Sequence, residues 1–371
     1  MEVHFSGCIV FLVFCLLLVV YQVQKLIEGD ASNEDQISAR DMKFILLLTQ
    51  NREKFFSQWT VAGLESCAVN QCWISSLQDL TDMSQATEFD AVVLHDAELK
   101  QIDLPGYRTL RQRYVYFNPD TPPTRSNDLE WANAYFNWTA TYRLDSDIYW
   151  PVGMFYERQQ AIKQSEFATK LYHALAAKTK PVAMLNNNCN TQSKREDYFK
   201  HLLPHIAVEM YGACHVKGVP AKYCNQSDCG AEFEKFWFYL AFEDSTCPDY
   251  ITEQHLAFTS HMVVPIVIRR KDYHLITPTN SFVAADNFHS PKDLANYLHF
   301  LIQNQRDYSK FLQWHRTHLF LRQQSYHWLC ELCAKLHNKE EEVKIYANMT
   351  RWWHVIGNCD NQHMHRHLNL T

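Results

Sequence analysis

Between Phe5 and Tyr21 the chain runs for 17 residues without a charge, and the uncharged stretch continues to Gln24. That length reaches the lower limit for a helix crossing a hydrocarbon core, so it predicts a transmembrane helix over 5–24 behind a short tail over 1–4. The rival reading is a cleaved secretory signal. Against it, no small-residue cleavage site follows, because Gln22, Val23, Gln24 and Lys25 come next. Met1 to His4 carry too little positive charge to set the orientation. No second run approaches this length, so the body of the chain belongs on one side of the membrane.

Cysteine indicates which side. Ten cysteines lie beyond the apolar run, alongside four Asn-x-Ser/Thr acceptor sequences at Asn137, Asn225, Asn348 and Asn369. Together with the anchor they favour an oxidising lumen with disulfides. Zinc is the competing use of Cys330-x-x-Cys333, since Cys67 and Cys72 could complete a four-thiolate set. The net charge of −6 leaves no basic surface for nucleic acid. None of the nine glycines is spaced for a dinucleotide or P-loop turn. The aromatic share, 14%, suits flat contact with sugars and bases, although any single ring more often fills a core.

Residues 25–41 are polar and aperiodic, a stem. Strand-length apolar runs follow at Phe44–Leu48, Ala91–His95 and Tyr114–Phe117, with room for helices between them. This alternation predicts a parallel sheet covered by helices over 42–156. A helix without Gly or Pro over 157–180 should link it to a second α/β unit over 181–335, with a tail over 336–371. Strands are expected at 181–185, 206–211, 236–242 and 263–268, and helices at 193–201, 249–261 and from Ser290. Ser290, Pro291 and Asp293 are the cap, first-turn proline and capping acid of the last of these. Two such units facing one another imply a ligand cleft.

Asp145-Ser-Asp147 has the spacing of a carboxylate pair that can hold a cation on a nucleotide-sugar diphosphate. Its surroundings point elsewhere. The run Phe136-Asn-Trp-Thr-Ala-Thr-Tyr142-Arg143-Leu-Asp-Ser-Asp147 closely resembles a segment of the α1,3/4-fucosyltransferases, glycosyltransferase family 10. So do Phe238-Tyr-Leu-Ala-Phe-Glu243-Asp244-Ser245 with Asp249-Tyr-Ile-Thr-Glu253, and Asn188-Cys-Asn190 with Ser193, Arg195 and Tyr198. Asn280-Ser-Phe282 with Asp286, Phe288 and Ser290 makes a fourth match, and Asp90-Ala-Val-Val93 with His95 a fainter fifth. These fall in the family's order over about 43–335, as in a divergent, insect-like member.

The resemblance implies a GT-B-type α/β fold, two Rossmann-like domains facing a cleft, in a type II protein of the Golgi membrane with its body in the lumen. It implies transfer of L-fucose from GDP-fucose, with inversion, to the 3-hydroxyl of GlcNAc in a glycan. No cofactor is required, although Mn2+ could stimulate, and Asp145 and Asp147 become structural or cleft-shaping groups beside Tyr142 and Arg143. By matched position Arg195 should grip the diphosphate. Asn190 and Asp244 belong to the donor site, Glu253 should accept from the ribose, Tyr250 should lie along the nucleotide, and Glu243 should line the fucose pocket. Asp120 stands where the family has its candidate base, a Glu, on a stem one methylene shorter. Cys330 and Cys333 should be bridged with or near Cys67 and Cys72, and Cys189 with Cys247. Gln254 replaces a Lys, Asp244 an Asn and Trp237 a basic residue, and a loop at Ile268-Arg-Arg-Lys271 is shortened. These changes make the potential less favourable to a diphosphate leaving group and raise an alternative, a catalytically impaired member that binds a glycan or partner. Arg269 or Arg270 is a candidate for the missing charge.

Overall fold

The computed structural model describes residues 42–49, 64–99, 108–122, 129–214, 216, 219–222, 230–252, 255, 261–322 and 327–368. The expected anchor, stem, Glu253, Gln254, Asn225 and Asn369 lie outside them. No helix among the described residues is long and apolar enough to cross a membrane.

The first unit is a parallel sheet of β1 (Lys43–Leu48), β2 (Cys72–Ser76), β3 (Ala91–His95), β4 (Arg113–Asn118), β5 (Trp138–Thr141) and β6 (Ile148–Tyr149) in the order β2-β1-β3-β4-β5-β6. After β7 (Gly153–Glu157) and α1 (Gln164–Ala177) comes the second parallel sheet. It contains β8 (Lys180–Leu185), β9 (Val208–Tyr211), β10 (Ala221–Lys222), β11 (Phe236–Leu240), β12 (Val264–Val267) and β13 (Val283–Ala284), ordered β10-β9-β8-β11-β12-β13. Both sheets are buried on two faces, which is why their central strands read as unbroken apolar runs.

Helices cover the second sheet through α2 (Arg195–Leu202) and α3 (Pro291–Gln303), whose Leu294, Leu298 and Leu301 are fully buried. The Ser290 hydroxyl accepts from the Asp293 N–H at 3.2 Å, and the Asp293 carboxylate accepts from that hydroxyl, as expected of the cap.

The chain crosses back after α3, which sequence spacing does not reveal. The linking helix, expected from residue 157, begins at Gln164; Glu157 instead ends strand β7, which pairs antiparallel with β14 (His318–Arg322). Gly153 is required there, because a Cβ would lie 2.2 Å from the Phe320 ring. Helix α4 (His327–His337), grouped by sequence with the second unit, instead packs Trp328, Leu329 and Leu332 against β1, β3 and β4 of the first. The boundary at 335 is corrected accordingly. Two disulfides, Cys67–Cys330 and Cys72–Cys333, fasten α4 to the first sheet. The Cys330-x-x-Cys333 thiols are thus in bridges rather than in a zinc set.

Candidate active site

A parallel sheet delivers every strand's carboxyl end to one edge, and ligands of open α/β sheets bind outside that edge. In the second sheet the edge collects Asn186 and Asn188 after β8, Glu243 and Asp244 after β11, Arg269 and Arg270 after β12, and Asp286 after β13. In the first sheet it delivers Asp120 after β4 and Tyr142 and Arg143 after β5.

Three contacts bring the two edges together. Thr121 Oγ1 donates to Ser245 Oγ at 2.8 Å, the Leu144 N–H donates to Asp249 Oδ2 at 3.2 Å, and the Tyr142 ring meets Tyr250 edge-on at 5.0 Å. Burial holds the Tyr250 phenol well above its ordinary range, and the negative charges of Glu243, Asp244 and Asp120 raise it further. The Thr121–Ser245 contact sets the neighbouring Asp120 across from the loop that follows β11. Asp120 is half-buried, and its N–H donates to Asn118 Oδ1 at 2.8 Å.

Glu243 is 2% exposed. Its carboxyl accepts from Thr252 N–H at 2.9 Å and from Thr252 Oγ1 at 2.6 Å, yet burial raises it to about 7, with Asp244 adding repulsion. Arg195 is 1% exposed and turned into the protein. It donates through Nη1 to Phe242 O and through Nη2 to Asn186 Oδ1 at 2.8 Å, so it fastens the β8 and β11 ends to the start of α2. Asp244 lies 3.6 Å from Arg195 Nη1 and accepts from Asn188 Nδ2 at 2.9 Å, so the added carboxylate offsets this buried charge. Asn190 is exposed and accepts from Lys194 at 3.3 Å. Trp237, by contrast, points into the core against Tyr308, away from the edge.

Asp145 and Asp147 have separate partners. Arg143 holds Asp145 through Nε at 2.8 Å and Nη2 at 2.6 Å and reaches Trp352 O with Nη1. Asp147 accepts from Thr139 N–H at 2.9 Å and Tyr346 Oη at 2.8 Å and pairs with Lys344.

A cleft of ≈ 530 Å³ opens at the β12–β13 corner, lined by Arg269, Arg270, Lys271, His274, Asp286, Asn287, Asp360 and His363. The two arginines there differ. Arg269 is clamped by Asp272, with Nε–Oδ2 at 2.8 Å and Nη2–Oδ1 at 2.6 Å, so its charge is locally matched. Arg270 is exposed, lies over the Phe282 ring at 5.3 Å and makes no ion pair among the described residues. Lys271 is likewise exposed and unpaired among them. Sequence reasoning named Arg269 and Arg270, quoted Lys271 in the same loop without a role, and missed Asp360. His363 stands out in the sequence only as part of His363-x-His365-x-His367, whose spacing resembles a metal-ligand cluster rather than a cleft lining.

One expectation is corrected. Cys189 does not pair with Cys247. Cys189 joins Cys214 and Cys247 joins Cys359, because the β8 end lies beside the β9 end whereas Cys247 faces the returning tail. Asn137, one of the four acceptor asparagines, is packed into the fold. It is 4% exposed, its Oδ1 accepts from Arg108 at 2.7 Å and Tyr114 N–H at 3.0 Å, and its Nδ2 donates to Lys344 O at 2.9 Å. Asn348 is exposed.

Comparison with known proteins gives concordant matches. Residues 40–153 match the fucosyltransferase N-terminal family model, and residues 175–352 match that of the C-terminal region of glycosyltransferase family 10 (fucosyltransferase). Alpha-(1,3)-fucosyltransferase C of Drosophila melanogaster is 27% identical over 94% of this chain and 88% of the relative. A 3-galactosyl-N-acetylglucosaminide 4-alpha-L-fucosyltransferase of Bos taurus is 33% identical over 80% of each chain. A crystal structure of an alpha1,3-fucosyltransferase with GDP-fucose shares the fold, with a TM-score of 0.52 at 14% identity over 83% of this chain and 93% of the other. The buried Glu243, the inward Arg195 and the paired parallel sheets are thus those of a chain that belongs to glycosyltransferase family 10, the fucosyltransferases.

Proposed function

We propose that this chain transfers L-fucose from GDP-fucose to the 3-hydroxyl of a GlcNAc residue in a glycan, inverting the anomeric centre. One observation carries the reading beyond family membership. Thr121, next to Asp120 of the first unit, meets Ser245, two residues after Glu243 of the second, at 2.8 Å, and the exposed cations Arg270 and Lys271 line a cleft on the same edge of the second sheet. In this scheme Asp120 removes the acceptor proton as the hydroxyl oxygen attacks the anomeric carbon of fucose. The bond to GDP breaks, and the charge gathering on the diphosphate meets Arg270 and Lys271. Glu243 lines the sugar pocket, Asn190 and Tyr250 border the nucleotide, and Arg195 keeps the β8 and β11 loops in register beneath it.

The bridges Cys67–Cys330, Cys72–Cys333, Cys189–Cys214 and Cys247–Cys359 support an oxidising compartment, and we assign the body to the Golgi lumen behind a type II anchor over 5–24. The full chain, incubated with GDP-fucose and GlcNAc-terminated acceptors, should yield an α1,3-fucosylated product by mass and linkage analysis. Absence of transfer across a broad acceptor panel overturns the reading. A second reading, a glycan- or partner-binding member without catalysis, is favoured by the single fact that Arg195 spends its donors internally beside Asp244. Calorimetry selects it if GDP fails to bind while a glycan does.

A further inference from the structure

Beyond its last strand the chain returns to the donor-side cleft and is pinned there. Cys359 is bonded to Cys247. The Asp360 N–H donates to Thr246 O at 2.7 Å, and Asn361 Oδ1 accepts from Thr246 N–H at 2.8 Å. The Asp360 carboxylate lies 3.6 Å from Arg269 Nη1. A short helix, α5 (His363–His367), follows. Its Met364 is buried in the second core, and its His365 meets Asp197 of α2 at 3.0 Å. Held covalently at one end and by packing at the other, α5 has a single seat, and that seat places His363 in the cleft lining.

The charges of this cleft are unevenly matched. Asp272 clamps Arg269 and Asp360 pairs with Arg366, whereas the side chains of Arg270 and Lys271 make no ion pair among the described residues. A group arriving with two or more negative charges needs several donors, and His363, which burial and then the Arg269 charge hold below its ordinary range, supplies a neutral ring N–H. A second observation points the same way. Arg269 Nη1 is buried at the cleft and has no hydrogen-bond partner, and buried donors in such a state mark positions where ligand oxygens complete a network.

We propose that His363, delivered by the disulfide-pinned tail, binds the diphosphate of the donor nucleotide together with Arg270 and Lys271. The inference deepens the proposed donor site and rests on it for the identity of the nucleotide. The ring of His363 stacks against that of His367 on one side, which fixes its plane, and Asp360 one turn earlier lies 3.7 Å from its Nδ1, which leaves Nε2 for a phosphate oxygen.

The test titrates the full chain calorimetrically with inorganic pyrophosphate, GDP and guanosine. His363→Ala should weaken pyrophosphate and GDP by about tenfold, leave guanosine unchanged and keep the parent melting temperature. His363→Lys, which restores a donor at this position, should recover most of the loss. Unchanged pyrophosphate and GDP affinities in His363→Ala overturn the inference while leaving the donor reading intact, and so does a Lys variant no better than Ala. A parent that binds pyrophosphate through His363 but gains nothing from the guanosine moiety overturns the donor reading and keeps the inference. A parent that binds neither overturns both.

Discussion

Burial raises the Glu243 carboxyl to about 7, so its folded value lies above its unfolded one. The stabilising contribution of the neutral acid is therefore fully present below the unfolded value, near 4.5, and is lost as pH rises through about 7. Urea unfolding of the parent and of Glu243→Gln, compared between those limits, should show an excess fall in parent stability of roughly 3 kcal/mol. Parallel curves would mean that the carboxyl is not neutral in the folded chain. Arg195 gives a contrasting case. Its Nη groups satisfy Phe242 O and Asn186 Oδ1 in the interior, so Arg195→Ala strands two buried acceptors and should cost roughly 3 kcal/mol by chemical denaturation. A variant that loses GDP affinity at unchanged stability would restore a direct grip on phosphate. The place of the motif residues in the chain was readable, since Asp120 and Glu243 each follow a strand of a parallel sheet at its carboxyl end. The direction of Arg195 was not, because a position in a motif does not say whether a side chain faces a cleft or a carbonyl.

Elements were legible where their signal is local. Strands β1, β3, β4, β8, β11 and β12 announce themselves as apolar runs because both faces of each sheet are covered. Helix α3 is bounded by a cap whose donors and acceptors lie within four residues. Ser290→Ala should cost about 1 kcal/mol in urea unfolding, and no change would mean that the first turn is held by packing alone. The misread elements depend on distant partners. Strand β7 exists because β14 returns to it, and α4 belongs to the first unit because its buried face fits β1, β3 and β4. The expected helix over 249–261 does not begin where placed. Asp249 has a positive φ of 65° and Tyr250 to Thr252 belong to no helix or strand, and Thr252 reaches Glu243 from there.

Across the whole molecule, the returning helix α4 is joined to the first unit by cross-links that act together. Cys67–Cys330 and Cys72–Cys333 span 263 and 261 residues, and their ends lie only a few residues apart. With one bridge intact the second closes a small ring, whereas loss of both frees the long loop. Replacing the Cys72–Cys333 pair by serines should therefore cost about 2 kcal/mol, while replacing all four cysteines should cost about 8 kcal/mol. Equal increments in guanidinium unfolding would show that the bridges act independently.

The fastening of Cys359 to Cys247 also imposes an order in time. Every strand of both sheets has left the ribosome before residues 359–367 emerge, so the half-made protein carries a β11 loop whose thiol has no mate. A nascent chain interrupted there would hold nearly all of its hydrophobic interior and still present an unroofed nucleotide corner. Oxidation of that last thiol pair is thus the step that separates a folded chain from a finished one.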